Sequence, residues 1–310
     1  MNTEYVKERW TTIVVYLVLA ALMIFTGLAS DVFFTSRNLD NLARQAAGIG
    51  LVSIGQTFAI LTAGIDLSLG SVVSLTSCLT TGLVLGKPGL LIPVIALVIA
   101  LALLVGFLNG FIITRSGVHA LIVTLGMMSV VQGAVLLYTK APYGEIPESF
   151  GFLAWGKLGP IPVPVFLLGA VAAVAIVVLH RTTFGRYVYA TGGNEEVARL
   201  SGIKTARVKI YTYMICSLTA AFTGLFLASR MGMGDPLVGQ AYMLDSIVPV
   251  LIGGTSLTGG KGGVVGTLPG IFIMVVLSNA LNLLDVSSYW QWIVEGGIII
   301  VAVAFYWREK

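Results

Sequence analysis

Ten apolar runs, most of them about 20 residues long, constrain this chain more than any other feature, because a helix of that length crosses a bilayer. Charged residues make up only 10% of the 310 residues, whereas soluble domains carry about 25%. We therefore predict an all-α polytopic membrane protein with about ten transmembrane helices in one transmembrane domain, residues 1–310. The predicted spans are 11–29, 42–62, 67–85, 90–113, 119–139, 161–180, 209–230, 241–252, 264–284 and 288–307.

The eighth run, 241–252, is too short to cross the bilayer as a simple helix. It leads into the glycine-rich stretch GGTSLTGGKGG, residues 253–263. Irregular backbone at membrane depth is tolerated only inside protein or beside a water-filled cavity, so we expect a broken or tilted helix here. The spacing of Leu and Gly around this stretch matches that of LTAGIDLSLGS, residues 61–71. An internal repeat explains the match, and so does chance in a chain rich in both residues.

The distribution of Lys and Arg predicts the orientation, since cytoplasmic loops carry the excess of positive charge. With both termini in the cytoplasm, 12 of the 18 Lys and Arg residues lie inside and 6 outside. The most basic loop, 181–209, is then cytoplasmic, and the longest outside loop is 140–160. The outside loop suits either a lid or docking face or a passive connector. The net charge of +4 reflects this orientation rather than an affinity for nucleic acid.

A short polar segment in the cytoplasmic loop predicts a helix over Glu195 to Ser201 with defined ends. Asn194 is a good N-cap, and the two glutamates after it favour the positive end of the helix dipole. Val197 and Leu200 share one face, and Gly202 supplies the left-handed conformation that often follows a helix. Two turns are too few for a helix that is stable alone. Both a surface turn and a docking helix fit this pattern.

Three acidic residues lie in or beside the spans, where ionisable groups are costly and are functional candidates by default. For Asp66 we favour a capping role, in which its carboxylate accepts from the N–H of Ser68 or Leu69. Asp245 lies near the start of the eighth span, where it is expected to cap a helix or to pair near the outer face. For Glu295, in the tenth span, a helix–helix hydrogen bond and a pore contact both remain open.

Polar side chains within the spans provide partners for the hydroxyl groups of a polar solute. The same residue types also join helices, typically for no more than about 1–2 kcal/mol each, and for any one of them this is the commoner role. Gly106 and Gly110 suit a close helix contact. The candidates for a translocation path are Gln56, Thr62, Asp66, Ser68, Asn109, Gln132, Asp245, Asn282 and Glu295.

The glycine-rich stretch fails the pattern of a phosphate-binding loop. That pattern needs Gly six positions before a Lys and Ser or Thr after it, whereas Lys261 has Thr255 and Gly262 at those positions. The chain is therefore not expected to bind ATP. Its two cysteines and two histidines lack the spacing of metal ligands, and its sequence contains no catalytic constellation. We predict neither a metal site nor an enzyme.

Four stretches make the chain resemble the ribose-type permeases of bacterial ABC importers, within the branched-chain amino acid and ribose permease superfamily. They are GRYVYATGGNEEVARLSGI (185–203), LTAGIDLSLGS (61–71), VLIGGTSLTGGKGGVVGTLPG (250–270) and LSNALNLLDVSSYWQWIVEG (277–296). The resemblance covers essentially the whole chain. It implies the fold of a type II ABC importer permease, placed in the bacterial cytoplasmic (inner) membrane among its lipids.

The resemblance also implies partners. A second permease copy, or a close paralogue, would pair with this chain, and a binding protein would deliver the solute. Two ATP-binding subunits, or one fused tandem ATPase, would hold ATP and Mg²⁺, so this chain would bind no cofactor itself. The predicted short helix would be the coupling helix that sits in a groove of the ATPase. Its implied contact residues are Asn194, Glu195, Glu196, Val197, Arg199, Leu200 and Gly202.

Two kinds of transporter fit these features. The first is the permease subunit of an ATP-driven importer for a sugar or similar small polar solute. The alternative is a proton-coupled secondary transporter that uses Asp66, Asp245 or Glu295 and needs no ATPase. The sequence does not specify the solute, because selectivity in such importers rests largely with the binding protein.

Overall fold

The structure is a computed structural model that describes residues 3–287 together with 289, 290, 293, 296 and 297. Within this part the chain forms thirteen α-helices, a 3-10 turn at Pro88–Leu90 and an antiparallel hairpin of β1 (Lys157–Leu158) and β2 (Ile161–Pro162). The tenth predicted span lies largely outside the described residues. The helices are α1 (Thr3–Ala29), α2 (Ser36–Leu61), α3 (Leu69–Val84), α4 (Leu91–Ser116), α5 (Ala120–Tyr138), α6 (Glu148–Trp155), α7 (Val163–Arg181), α8 (Thr183–Gly193), α9 (Glu195–Leu200), α10 (Thr205–Met231), α11 (Gln240–Asp245), α12 (Ile247–Ile252) and α13 (Val264–Leu283).

Five helical segments in the described part are long and apolar enough to cross a membrane. Three further apolar helical stretches are shorter, and α2 has the length but carries a polar first half. The chain is thus a helical membrane protein with several spans, and ten crossings remain a prediction. The five segments are Pro88–Ser116, Ala120–Tyr138, Val163–Arg181, Thr205–Met231 and Val264–Leu283; the shorter ones are Ile13–Ala29, Leu69–Val84 and Gln240–Ile252.

Two stretches of non-helical backbone interrupt the helix bundle. The first interruption, residues 62–68, separates α2 from α3, and the second interruption, residues 253–263, separates α12 from α13. The eighth predicted span is broken, as expected, because α11 and α12 meet at Ser246. Both interruptions fall at the glycine-rich stretches that the sequence indicated.

Helix α10 is the centre of the bundle and packs against α2, α3 and α4. Glycines allow the close approach: a methyl group on Gly106 of α4 would lie 2.5 Å from the carbonyl oxygen of Tyr213. A methyl group on Gly110 would lie 2.5 Å from the Cα of Ile210. The predicted role of these two glycines in a helix contact is therefore confirmed.

The helix ends gather at two opposite ends of the bundle. One of them, which we call the α9 end, brings together α8, α9, the second interruption, the end of α2 and the link between α4 and α5. At the hairpin end, Tyr143 and Gly234 exchange two backbone hydrogen bonds of 2.9 Å. There Lys157 of the hairpin also forms an ion pair with Asp40 of α2.

Both of the predicted long loops contain a helix that the sequence patterns did not indicate. The loop predicted to lie outside, 140–160, forms α6 and most of the hairpin, and the N–H of Ala154 donates to the Ser229 hydroxyl (3.1 Å). The loop predicted to be cytoplasmic, 181–209, contains α8 in addition to the expected short helix. Thr182 caps α8 by accepting from the N–H of Gly185 (3.2 Å), and Val188 is buried. Tertiary packing of this kind favours helix where glycines and β-branched residues lower local propensity.

Candidate functional site

Helix α9 has the two capped ends that the sequence predicts. The Asn194 side chain accepts from the N–H of Val197 (3.0 Å), and Gly202 adopts a φ of +86° just beyond the last turn. The helix ends at Leu200, one residue before the predicted end. Since caps satisfy backbone groups that a two-turn helix leaves unpaired, they explain why so short an element has fixed limits.

The outward face of α9 combines charge with an apolar pair. Val197 is 58% exposed and Leu200 78% exposed, while Ala198 on the opposite face is buried. A solvent-facing apolar pair on a fixed helix is the kind of surface that enters a partner groove. All of the predicted contact residues are exposed, namely Asn194, Glu195, Glu196, Val197, Arg199, Leu200 and Gly202.

An ion pair ties α9 to the central helix of the bundle. The Lys209 ammonium of α10 lies 2.5 Å from a carboxylate oxygen of Glu195. Such a partly exposed pair contributes at most about 1 kcal/mol, so it orients α9 more than it stabilises the fold. Sequence analysis missed Lys209 as a partner, because fourteen residues separate the pair and no local pattern joins them.

A cavity of about 700 Å³ lies directly behind α9. Its walls are the first interruption, the link between α4 and α5, α9 and the start of α10. Thr62, His119 and Tyr213 line it together with the ion pair. The Tyr213 side chain is 1% exposed, and its hydroxyl has no hydrogen-bond partner in the described part of the chain. The polar wall of the cavity comes from His119 and from the ion pair of Glu195 and Lys209.

Four of the predicted path residues meet in one fully buried cluster deeper in the bundle. Asp66 Oδ1 accepts from the N–H of Ser68 (2.9 Å) and from its hydroxyl (2.6 Å), so the expected bond to Ser68 is present. The N-cap of α3 is nevertheless Ser68, and Asp66 holds the turn just before the helix. The Asn109 amide donates to the same hydroxyl (2.8 Å). With its amide turned to satisfy both groups, Gln56 pairs with the backbone N–H and carbonyl of Asp66 (3.3 Å each). The cluster joins α2, α3 and α4 around the first interruption.

The other predicted path residues are dispersed. Thr62 lines the cavity, whereas Gln132 of α5 is half-buried and donates to the carbonyl of Pro236 (2.9 Å). Asp245 is half-buried at the end of α11, and Asn282 is exposed near the end of α13. Glu295 lies outside the described residues. The structure thus brings some path candidates together and leaves their role as a prediction.

Among the described residues, no group of three or more His, Cys, Asp and Glu side chains is arranged to hold a metal ion. Cys78 and Cys216 are buried free thiols, as their positions in apolar runs suggest. The candidate site therefore has three parts: an exposed capped helix, a cavity behind it and a buried polar cluster.

Residues 38–303 match the family described as branched-chain amino acid transport system / permease component. The match covers most of the chain, and the chain belongs to this family. It is a multi-pass membrane permease component rather than an enzyme.

Individual relatives agree with the family. The ribose import permease protein RbsC of Escherichia coli (strain K12) is 40% identical over 293 residues, covering 92% of this chain and 91% of the relative. RbsC of Bacillus subtilis (strain 168) is 41% identical, covering 93% and 90%. The xylose transport system permease protein XylH of Escherichia coli (strain K12) is 33% identical, covering 92% and 88%. No solved structure gives a significant match to the chain.

Proposed function

We propose that this chain is the membrane-spanning subunit of an ATP-driven importer for a sugar or similar small polar solute, delivered by a binding protein. Relatives named for ribose and xylose import support a small sugar as the cargo. ATP and Mg²⁺ bind to a separate ATPase, and this chain holds no cofactor. A second copy of the chain, or a close paralogue, completes the path, together with two ATP-binding subunits or one fused tandem ATPase.

The observation that carries this proposal is the exposed apolar pair on α9. Val197 and Leu200 face outward from a helix that is too short to be stable alone, yet is capped at both ends. A passive surface turn has no need of this combination. A helix that seats in a groove of an ATPase needs both features, because its shape must persist while its apolar face is covered.

The proposed orientation places α9 in the cytoplasm, with both chain termini on the same side of the cytoplasmic membrane. The twofold excess of Lys and Arg on that side supports it. Ten crossings follow from the ten apolar runs. In this orientation the cavity behind α9 opens toward the cytoplasm, and we assign it, with Thr62, to the inner part of the path.

Co-purification tests the role of α9. We expect Leu200→Asp to lower ATPase recovery with the affinity-tagged permease at least about tenfold, because the variant would place an unpaired carboxylate in an apolar groove. The matched control is Leu158→Asp, since Leu158 is a comparably exposed leucine at the hairpin end. Normal ATPase recovery with Leu200→Asp, or equal loss with both variants, would refute the assignment.

Reconstituted transport tests the energy source and the cargo. Vesicles containing the permease, its ATPase and its binding protein should accumulate radiolabelled ribose or xylose only with internal ATP. Dissipating the proton gradient with an ionophore should leave the initial rate unchanged. Uptake that needs the gradient and no ATPase would instead establish proton coupling.

A further inference from the structure

Backbone groups of three segments meet at the α9 end without any intervening side chain. The N–H of Gly260, in the second interruption, donates to the carbonyl of Leu61, the last residue of α2 (3.0 Å). Gly192 of α8 packs directly on this bond. A methyl group on Gly192 would lie 1.8 Å from the Leu61 oxygen and 2.6 Å from the Gly260 nitrogen.

The fit is reciprocal, since glycines of the second interruption pack against α8 and the first interruption. Gly259 adopts a φ of +83°, and a methyl group there would lie 2.8 Å from both the Gly192 oxygen and the Ala63 nitrogen. A methyl group on Gly260 would lie 2.7 Å from the Cα of Gly193. We call this contact of Leu61, Gly192, Gly259 and Gly260 the glycine junction.

A side-chain bond adds a second connection about one turn earlier in α8. The Tyr189 hydroxyl donates to the carbonyl of Gly262 (2.9 Å). Helix α8 therefore contacts the second interruption at two separate points. Two points of contact resist rotation as well as translation of α8.

No free linker separates α8 from α9. Asn194 is at once the residue that ends α8 and the N-cap of α9: its N–H donates to the carbonyl of Ala190 (3.2 Å), and its side chain caps α9. Displacing α9 therefore displaces α8. Since packed backbone deforms little, the glycine junction would carry that displacement onward.

We propose that the glycine junction transmits movement of α9 to the two interruptions of the membrane helices, with Gly192 as its positioning residue. This inference rests on the proposed function of α9 as the ATPase contact. Leu61 leads into the first interruption and Gly260 lies in the second, so one contact reaches both places where helical structure breaks. Discrete packed contacts of this kind carry conformational coupling between sites.

The test compares two adjacent glycines in the complete importer, reconstituted in vesicles. Gly192→Ala places a methyl group into the junction, whereas a methyl group on Gly193 meets nothing within 4 Å. We expect Gly192→Ala to lower the sugar imported per ATP hydrolysed at least about tenfold, with the ATPase still bound. Gly193→Ala should retain the wild-type ratio. The probe is radiolabelled ribose, or xylose if the wild-type complex imports that sugar instead.

If the Gly192→Ala permease fails to insert into the membrane, a second variant tests the same proposal. Tyr189→Phe retains the ring and removes the bond to Gly262, and it should lower the same ratio about two- to fivefold. An unchanged ratio in Tyr189→Phe, or equal ratios in the two glycine variants, would overturn the proposal. Loss of ATPase binding by inserted Gly192→Ala would also overturn it, because the junction would then shape the docking surface instead.

A distance measurement needs no cargo. Spin labels at Ser201→Cys, the exposed C-cap of α9, and at Lys261→Cys in the second interruption should keep one separation with and without ATP, because the junction joins these segments into one body. A separation that changes on ATP binding would contradict transmission through the junction. Failure of the wild-type chain to bind an ATPase would refute the proposed function itself, which separates the two failures.

Discussion

In the first interruption, polar side chains form hydrogen bonds with the irregular backbone. In the second, most backbone hydrogen bonds run to other backbone groups, and glycines leave the space for this close packing. Asp66, Ser68, Gln56 and Asn109 surround the first, which contains a single left-handed residue, Ala63 (φ +58°). The second contains five glycines with positive φ: Gly254, Gly259, Gly260, Gly262 and Gly263. Both meet the demand that buried backbone polar groups be paired.

The difference has a consequence for movement. The first interruption is anchored through side chains of α2 and α4, Gln56 and Asn109. A glycine-rich stretch can be approached closely by another backbone, and α8 packs on the second interruption in this way. The first interruption is thus tied to the core of the bundle by polar side chains, and the second is contacted by the backbone of α8.

The largest effect is expected where a side chain enters the second interruption. A methyl group on Gly262 (φ +98°) would lie 2.4 Å from the Cα of Thr255. Gly262→Ala should therefore lower the free energy of unfolding in detergent by about 3 kcal/mol, combining left-handed strain with overpacking. Gly117→Ala isolates the strain, because Gly117 (φ +67°) has open space around it, and it should cost about 1 kcal/mol. Thermal unfolding of both purified variants measures the difference, and equal costs would contradict the steric argument.

Removing the carboxylate that holds the first interruption should have the next largest effect. Asp66→Ala leaves the N–H and hydroxyl of Ser68 without their acceptor, at an expected cost of about 2 kcal/mol. The control is Asp235→Ala, since Asp235 accepts from the N–H of Leu237 (2.8 Å) in the same two-residue turn but at the surface. Its cost should stay below about 1 kcal/mol. If Asp66→Ala lowers the free energy of unfolding no more than Asp235→Ala does, the Asp66 side chain does not hold the first interruption.

Local sequence patterns predicted much of this architecture because the responsible interactions are local. Apolar runs of bilayer length became helices, Asn194 caps α9, and the glycine-rich stretches became interruptions. Helix α8 was missed because its sequence, TFGRYVYATGG, carries three glycines and β-branched residues. Its helicity depends on the burial of Val188 and on the cap from Thr182, neither of which a local pattern contains.

In the candidate site, too, the features that depend on local interactions were predictable and those that depend on distant contacts were not. Exposure of Val197 and Leu200 follows from their spacing within one helix. The contacts that connect α9 to the bundle join distant parts of the chain, such as Lys209 with Glu195 and Gly192 with Leu61. The glycine pair at 192 and 193 was visible in the sequence, but which of the two is enclosed depends on where α2 ends. Only the folded arrangement distinguishes them.

The smallest effect is expected at the hydroxyl pair that joins the two interrupted segments. Thr57 of α2 and Thr267 of α13 lie 2.9 Å apart, oxygen to oxygen. Each hydroxyl has one hydrogen, and each also approaches a carbonyl of its own helix, Ser53 for Thr57 (2.7 Å) and Gly263 for Thr267 (3.2 Å). The longer bond yields its hydrogen more easily, so Thr267 donates to Thr57, which donates to Ser53.

A double-mutant cycle with Thr57→Val and Thr267→Val should give a coupling energy of about 0.6 kcal/mol, typical of one hydrogen bond between membrane helices. A value above about 1.7 kcal/mol would exceed the range of one such bond and would contradict the assignment of a single hydrogen bond between Thr267 and Thr57.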